Sequence, residues 1–272
     1  MNPAAVTETE ELLAVARRAA EAGVEVATDW FRRREELTVE EKAAADDLVS
    51  EADRETERAI RAVLAEARPG DAVLGEEDGA VAGESGIGWQ VDPIDGTTNY
   101  LYGRPDWAVS VAAVRAEDAC TLAGAVAEPA LRRLTTASRG GKAWSGGRRL
   151  QRQPGTGLER ALVEVNWGRP EQRGLAGDLL RALVPQVRDV RRGGSAAAAL
   201  VQVADGRADA YWGPGLQAWD GAAGALIAAE AGCEVGDLEG ATDGNWPQSG
   251  NVLATAPALW EPLREILRAV YR

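Results

Sequence analysis

Apolar residues recur at helical spacing in the first part of the chain. Between residues 12 and 30 they return every three or four positions, which predicts an amphipathic helix that begins at a capping box over residues 7–10. Ser50 and Asp53 have the spacing of a second capping box. The stripe that follows it predicts a second helix and consists of Thr56, Ala59, Ile60, Val63 and Leu64.

The middle of the chain changes to short apolar runs separated by turn residues. A buried strand is predicted at residues 72–74, and a second at 89–91. Four further runs predict an antiparallel meander, at residues 107–114, 121–127, 131–137 and 142–144.

In the last third of the chain, short apolar runs typical of strands alternate with segments of helical spacing. Strands are predicted at residues 161–165, 187–191, 208–212 and 252–255, and helices at 172–183, 195–204, 220–231 and 257–271. Residues 239–250 are predicted to form a polar loop. The Pro- and Gly-rich segment 151–158 is the best internal boundary, so we divide the chain into an N-terminal α+β half, residues 1–150, and a C-terminal α/β half, residues 151–272. Strands alternating with helices predict an α/β (α+β) fold.

Composition narrows the functional classes. The 272 residues carry a net charge of −13, which argues against binding to nucleic acid or to an anionic membrane. The first residues are acidic and lack a signal-peptide core, and no apolar run is long enough to span a bilayer. Cys120 and Cys233 are expected to be buried thiols, so we expect a cytoplasmic protein. The chain has no histidine, which excludes Ser-His-Asp catalysis and histidine-ligated zinc.

The chemistry is concentrated in residues 91–100, V-D-P-I-D-G-T-T-N-Y. Asp92 and Asp95 supply carboxylate oxygens, which hard divalent cations prefer. Gly96 allows the backbone close to a ligand, and its amide and that of Thr97 can point at phosphate oxygens. The alternative interpretation is an Asp-Pro turn followed by a helix cap.

Two distant acids complete a potential cation site. Glu76 lies in an acidic turn after the strand at 72–74, and Asp220 lies in the first turn of the helix predicted at 220–231. Asp220 has an alternative role as a helix cap. If the fold brings Glu76, Asp92, Asp95 and Asp220 together, they offer enough oxygen ligands for two or three Mg²⁺ ions.

These strings resemble the signatures of the inositol monophosphatase family, which consists of Mg²⁺-dependent, lithium-sensitive phosphatases related to fructose-1,6-bisphosphatase. The resemblance rests on G-E-E-D at 75–78, on the string at 91–100 and on A-W-D-G-A-A-G at 218–224. D-L-V-S-E-A-D at 47–53, with Lys42 before it, and G-G-S-A-A at 193–197 also resemble family segments.

The resemblance implies a layered αβαβα sandwich of the sugar-phosphatase type and, usually, a homodimer. It implies metal ligation by Glu76, Asp92, the Ile94 carbonyl, Asp95 and Asp220. It implies phosphate binding by the amides of Gly96 and Thr97. It also implies that the Thr97 hydroxyl, with Glu76 or Asp53, orients the attacking water. The substrate-binding residues that it implies are Gly194, Ser195, Ala196, Gly213 and Asp220.

Several alternatives stay open on the sequence. Asp53 is as well explained as the acid of a capping box as by a catalytic role. Ser195 is as well explained as the cap of a flexible turn as by a role in substrate binding. Gly213 replaces a glutamate that inositol-specific members carry seven residues before the aspartate of W-D, which puts the preference for inositol phosphate in doubt.

The predicted activity is therefore hydrolysis of a small soluble phosphate monoester, with inositol-1-phosphate or a related cyclitol or sugar phosphate favoured. Histidinol phosphate, 3′-phosphoadenosine 5′-phosphate and fructose 1,6-bisphosphate remain alternatives within the superfamily. Phosphotransfer through an aspartyl phosphate would require a D-x-D spacing, which Asp92 and Asp95 do not have. A glycosidase with paired carboxylates is disfavoured by Gly-Thr-Thr and the surplus acids. A non-catalytic binding or regulatory protein on the same fold is the rival from another class.

Overall fold

The structure is a computed structural model that describes residues 3–41, 48–168 and 170–271. Lys42 and Asp47, which contribute to the sequence resemblance, lie outside the described residues. The helices of the described chain are α1 (Pro3–Arg32), α2 (Glu51–Ala67), α3 (Thr97–Leu101), α4 (Ala176–Leu183), α5 (Ala196–Asp205), α6 (Ala218–Ala231) and α7 (Trp260–Val270). Short 3₁₀ turns lie at Arg34–Glu36, Pro129–Leu131, Leu158–Arg160, Pro170–Leu175 and Pro257–Leu259.

The strands form one large sheet, one small sheet and a separate two-stranded ribbon. The ribbon pairs β1 (Val39–Glu41) with β2 (Leu48–Ser50). The large sheet contains β3 (Ala72–Gly75), β4 (Gly79–Val81), β5 (Ile87–Asp95), β6 (Ala108–Arg115), β7 (Cys120–Glu128), β8 (Arg133–Ser138), β9 (Lys142–Ser145) and β10 (Arg148–Arg149). The small sheet contains β11 (Leu162–Val165), β12 (Asp189–Arg191), β13 (Ala210–Gly213), β14 (Glu234–Gly236) and β15 (Val252–Thr255).

Sheet order explains where a ligand site can form. The large sheet runs β10-β9-β8-β7-β6-β5-β3-β4, and its strands from β5 to β10 are antiparallel neighbours, which confirms the predicted meander. β3 and β5 are parallel, so their carboxyl ends lie at the same edge. In the small sheet, β11 is parallel to both β12 and β13.

The sheets and helices stack in five layers, which confirms the predicted αβαβα architecture. One buried cluster joins α1 and α2 to one face of the large sheet. A second joins its other face, through α5 and α6, to the small sheet, and a third covers the far face of the small sheet with α4 and α7. Alternate residues of β6 belong to opposite clusters, as the two-residue period of a strand requires: Val109 and Val111 face one way, and Ala108 and Ala112 the other.

Small side chains make the central helical layer possible. Every residue of α6 from Gly221 to Ala228 is small or apolar and buried, as expected for a helix between two sheets. A Cβ atom at Gly224 would lie 2.7 Å from Leu200 Cβ, and one at Gly124 would lie 2.9 Å from the Ala223 backbone. The close approach of α5, α6 and β7 therefore depends on glycine and alanine at these contacts.

Some predicted boundaries are wrong. α1 begins at Pro3, so residues 7–10 lie inside the helix and do not cap it. β5 does not stop at residue 91 but continues to Asp95, through an irregularity between Asp92 and Asp95. The predicted helix 172–183 is a 3₁₀ turn followed by the shorter α4. β4, β10 and β14 are not predicted because two or three residues carry too little periodicity. The division at residue 150 remains a prediction.

Candidate active site

The parallel pair β3–β5 brings Glu76 next to Asp92. Gly75, the last residue of β3, is paired with Val91, so each chain continues into an acidic residue at the same edge of the sheet. The Glu76 amide donates to the Val91 carbonyl at 3.2 Å, and the Glu76 carboxylate is close enough to Asp92 to raise the pKa of that side chain. Register in the sheet, and not proximity along the chain, therefore joins the first two predicted ligands.

Asp95 is fixed by the start of α5. Ser195 is the N-cap of this helix, and its hydroxyl donates to Asp95 Oδ2 at 2.6 Å while accepting from the Ala198 amide at 3.1 Å. The Ala197 amide donates to the same Asp95 oxygen at 2.6 Å. In this structure, Ser195 and Ala197 thus position Asp95.

Asp220 is brought in by the start of α6. It lies in the first turn, and its Oδ2 accepts from the Gln217 amide at 2.8 Å, so the capping role considered for it is real. The Ser110 hydroxyl donates to the carbonyl of Trp219 at 3.1 Å, and Ser110 is the cross-strand partner of Asp92. This contact attaches the helix start to the strand that carries Asp92.

The four acids influence one another electrostatically. Burial raises the pKa of Asp92 well above its usual range, and the charges of Glu76, Asp95 and Asp220 raise it further. Burial also raises the pKa of Asp95 to about 7, although the hydrogen bonds from Ser195 and Ala197 oppose the rise. Negative charge is therefore costly at this place, and a cation between the carboxylates would offset that cost.

A tight turn follows the two aspartates. Gly96 has a φ of 99°, in the left-handed region that favours glycine, and a Cβ there would lie 3.0 Å from the Asp106 carbonyl. Thr97 begins α3, so its amide belongs to the first turn, where N–H groups have no partner within the helix. The Thr97 hydroxyl lies 3.2 Å from the Ile94 carbonyl and 3.5 Å from Asp53 Oδ1.

Asp53 enters the site from α2. It is 1% exposed, and the capping box with Ser50 is present as predicted. The structure thus shows the cap and the contact with Thr97 together.

Two residues that the sequence did not single out hold the loops in place. Asn99 is buried, and its amide nitrogen donates to the carbonyls of Asp106 and Gly193, both at 2.7 Å. Glu57 receives the amides of Glu77 and Asp78 at 2.8 and 3.0 Å and so fixes the acidic turn. Glu57 could have been found from the sequence, because it is a charged residue on the buried stripe of α2. Nothing in the sequence indicated the partners of Asn99.

Gly194 and Gly213 have different structural reasons to be glycine. Gly194 has a φ of 96°, and a Cβ there would lie 2.7 Å from the Asn99 side-chain nitrogen. Gly213 ends β13, and a Cβ there would lie 2.8 Å from Tyr211 Cζ and 2.7 Å from Leu216 Cδ1. The side chains of Tyr211 and Leu216 therefore fill the space that any side chain at position 213 would need.

The donor set suits a hard divalent cation, but the side chains engage other groups in this structure. Within residues 3–41, 48–168 and 170–271, no three acidic or cysteine side chains are grouped closely enough to hold a metal ion as they stand. Asp92, Asp95 and Asp220 each accept from nearby backbone donors. Cation binding would add the ion to the partners that these carboxylates already have.

Comparison with known proteins identifies the family of the chain. The sequence model of the inositol monophosphatase family matches residues 8–271. The chain belongs to the inositol monophosphatase family. Members act on small phosphate monoesters and generally require metal ions.

Individual relatives agree with this membership. The chain is 45% identical, over 207 residues, to an inositol-1-monophosphatase of Mycobacterium bovis, a match that covers 72% of this chain and 71% of the relative. It is 39% identical, over 256 residues, to a protein of Pseudomonas aeruginosa named Nus factor SuhB, with 90% and 91% covered. The crystal structure of the suppressor protein suhB from Bartonella henselae superimposes with a TM-score of 0.88 at 34% identity, covering 94% of this chain and 98% of that one.

The family match extends into both sheets and therefore supports the predicted fold as a whole. Among the described residues, no helix is long and apolar enough to cross a membrane.

Proposed function

We propose that this inositol monophosphatase family member is a Mg²⁺-dependent phosphomonoesterase that hydrolyses a small phosphate monoester. The favoured substrate is inositol-1-phosphate or a related cyclitol or sugar phosphate. The observation that carries the proposal is that Glu76, Asp95 and Asp220, which with Asp92 come from three separate chain segments, all raise the pKa of Asp92 through their charges.

The chemistry of the donor set supports magnesium. Glu76, Asp92, Asp95, Asp220 and the Ile94 carbonyl would hold two or three Mg²⁺ ions, since this hard cation takes oxygen ligands and leaves positions for water and phosphate. Bound Mg²⁺ would neutralise the phosphate and make a water molecule easier to deprotonate at neutral pH. The chain has no histidine, so the proton would pass to a carboxylate, and this assistance would make that transfer easier.

The protein's own groups then have separable tasks. The amides of Gly96 and Thr97 would donate to phosphate oxygens at the start of α3. The Thr97 hydroxyl, 3.5 Å from Asp53 Oδ1, would orient the attacking water, and Asp53 or Glu76 would accept its proton. Ser195 and Ala197 keep Asp95 in place through their hydrogen bonds to Oδ2.

The alcohol part of the substrate is proposed to lie between the start of α5 and the end of β13, against Gly194, Ser195, Ala196 and Gly213. Relatives named inositol-1-monophosphatase favour a cyclitol phosphate. Histidinol phosphate, 3′-phosphoadenosine 5′-phosphate and fructose 1,6-bisphosphate are the alternative substrates. Inhibition by Li⁺, a homodimer and a cytoplasmic location belong to the same proposal.

The decisive experiment measures phosphate release from a panel of these esters as Mg²⁺ is added to chelator-treated protein. We expect saturable Mg²⁺ dependence with at least one cyclitol or sugar phosphate, inhibition by Li⁺ at tens of millimolar, and loss of turnover in Asp220→Asn. Absence of phosphate release from every ester at saturating Mg²⁺ would contradict the proposal.

One observation favours a second role. Proteins named Nus factor SuhB resemble this chain over 90% and 93% of its length. A regulatory role that does not need turnover is thus the second candidate, and the predicted absence of nucleic-acid partners stays a prediction. Co-purification of transcription components with both the wild type and Asp220→Asn would support this role.

A further inference from the structure

Tyr211 lies beside the predicted metal site, and nothing so far assigns it a task. It is in the middle of β13, on the face that looks toward α5 and α6, and is 2% exposed. Among the described residues, its hydroxyl has no hydrogen-bond partner. A buried hydroxyl without a partner is costly, so its presence calls for an explanation.

The surroundings of the phenol are acidic. Burial raises the pKa of Tyr211 well above its usual range, and the charges of Asp95, Asp220 and Glu164 raise it further. The Asn166 side chain lowers this pKa in part, although the two groups do not meet with the geometry of a hydrogen bond. The hydroxyl therefore stays protonated and is close enough to Asp95 and Asp220, two of the proposed ligands, for their charges to act on it.

Gly213 is the reason that the phenol can lie there. Residues 211 and 213 of a strand point to the same face, and any Cβ at position 213 would overlap the Tyr211 hydroxyl. The φ of Gly213 is not in the left-handed region, so its backbone alone does not require glycine. The position of the Tyr211 side chain thus depends on glycine at position 213.

We propose that Tyr211 is the specificity-determining residue on the alcohol side of the site. Its phenol fills the space that a side chain at position 213 would need. The uncharged phenol hydroxyl forms a hydrogen bond with an oxygen of the substrate alcohol, next to the ester. Leu216 shares the space at position 213, so it must turn aside when the substrate enters. The inference rests on the proposed phosphatase function and names the substrate class as phosphate esters of polyols.

The test compares two esters, myo-inositol 1-phosphate and p-nitrophenyl phosphate, which has no hydroxyl on its leaving group. The measured quantity is the kcat/KM for myo-inositol 1-phosphate divided by the kcat/KM for p-nitrophenyl phosphate. In Tyr211→Phe this ratio falls by about three- to tenfold, the usual effect of one lost neutral hydrogen bond. Thermal stability does not fall, because the variant removes a buried hydroxyl that has no hydrogen-bond partner among the described residues.

Two further variants sharpen the result. Gly213→Ala introduces a Cβ that displaces the phenol, so it lowers the same ratio. In the Tyr211→Phe background, Gly213→Ala lowers the ratio much less than it does in the wild type. Tyr271→Phe is the matched control, since Tyr271 packs on Trp212 from the opposite face of β13, with ring centroids 5.2 Å apart. This control leaves the ratio unchanged.

The outcomes separate the two proposals. An active wild type whose ratio is the same in Tyr211→Phe overturns the inference, and so does a Tyr211→Phe variant that loses stability and both activities in parallel. A wild type that hydrolyses neither ester in Mg²⁺ overturns the proposed function, and the inference with it.

Discussion

The two carboxylate oxygens of Asp53 serve two different partners, and one of these partners is Thr97. Oδ1 lies 3.5 Å from the Thr97 hydroxyl, whereas Oδ2 accepts the Ser50 amide and hydroxyl at 2.9 and 2.6 Å. The helix cap therefore fixes the rotamer that points the other oxygen toward the candidate phosphate site. Structural and catalytic interpretations of Asp53 are compatible, because each uses its own oxygen.

Replacement of Asp53 by asparagine should separate these roles. The amide oxygen of the new side chain can still accept from Ser50, so we expect a small change in stability, but kcat should fall by at least about a hundredfold, as for loss of a general base. Ser50→Ala is the control: it weakens the cap, at a cost of about 0.5–2 kcal/mol in unfolding free energy, and retains most of kcat. Steady-state kinetics and thermal denaturation check both. Normal kcat in Asp53→Asn would refute the role of this carboxylate.

Asp220→Asn should lose turnover while remaining folded. An asparagine at this position can accept the Gln217 amide in the same way, so the start of α6 is preserved. We expect kcat to fall below detection and the circular dichroism spectrum to stay unchanged. Gln217→Ala keeps the backbone donor and the Asp220 carboxylate, so it should remain active. An active Asp220→Asn enzyme would remove this residue from the site.

The stability of the cation-free protein should decrease as the pH rises from about 4 to 7. Burial raises the pKa of Asp95 to about 7 in the folded protein, whereas the unfolded chain titrates near the usual value of 3.8. Between these values the folded protein binds more protons than the unfolded one, so its stabilising contribution is present at low pH and is lost as the pH rises.

Melting temperatures in chelator at several pH values test this dependence. Asp95→Asn, which does not titrate, should show a flatter profile than the wild type, and Mg²⁺ should raise the wild-type melting temperature most at neutral pH. A wild-type profile no steeper than that of Asp95→Asn would show that Asp95 is not the titrating group.

Gly194→Ala should disturb the site more than its backbone cost alone explains. A left-handed φ costs a non-glycine residue about 1–2 kcal/mol, and at position 194 the Cβ would also meet the Asn99 side chain at 2.7 Å. Gly146→Ala is a matched control, because Gly146 has a φ of 56° and no atom within 4 Å of its Cβ. We expect both variants to lose stability and only Gly194→Ala to lose most of its activity. Equal activities would argue against the Asn99–Gly193 connection as a positioning device.

Much of the fold was predictable because periodicity over eight or more residues is a strong signal. The long helices and the meander belong to this class, and the family resemblance supplied the layering. Very short strands such as β10 were not predictable, and neither was the extension of β5 to Asp95, since Pro93 and two charged residues look like a turn.

The site was predictable as a set of residue types and not as a geometry. The sequence indicated Glu76 and Asp92 separately, but their contact follows from the register Gly75–Val91. Ser195 was expected to meet the substrate, whereas its observed partner is Asp95. The overlap of Tyr211 with position 213 depends on a side-chain direction, which a linear pattern does not contain.

Titration of Mg²⁺ into chelator-treated protein, followed by calorimetry, tests the central claim most directly. Asp71→Asn serves as control, since Asp71 is also buried but bonds to Trp89 away from the four acids. We predict at least two ions per chain in the wild type and in Asp71→Asn, and fewer or much weaker ones in Asp95→Asn and Asp220→Asn. Identical binding in all four proteins, or no saturable binding in the wild type, would contradict a cation site built from Glu76, Asp92, Asp95 and Asp220.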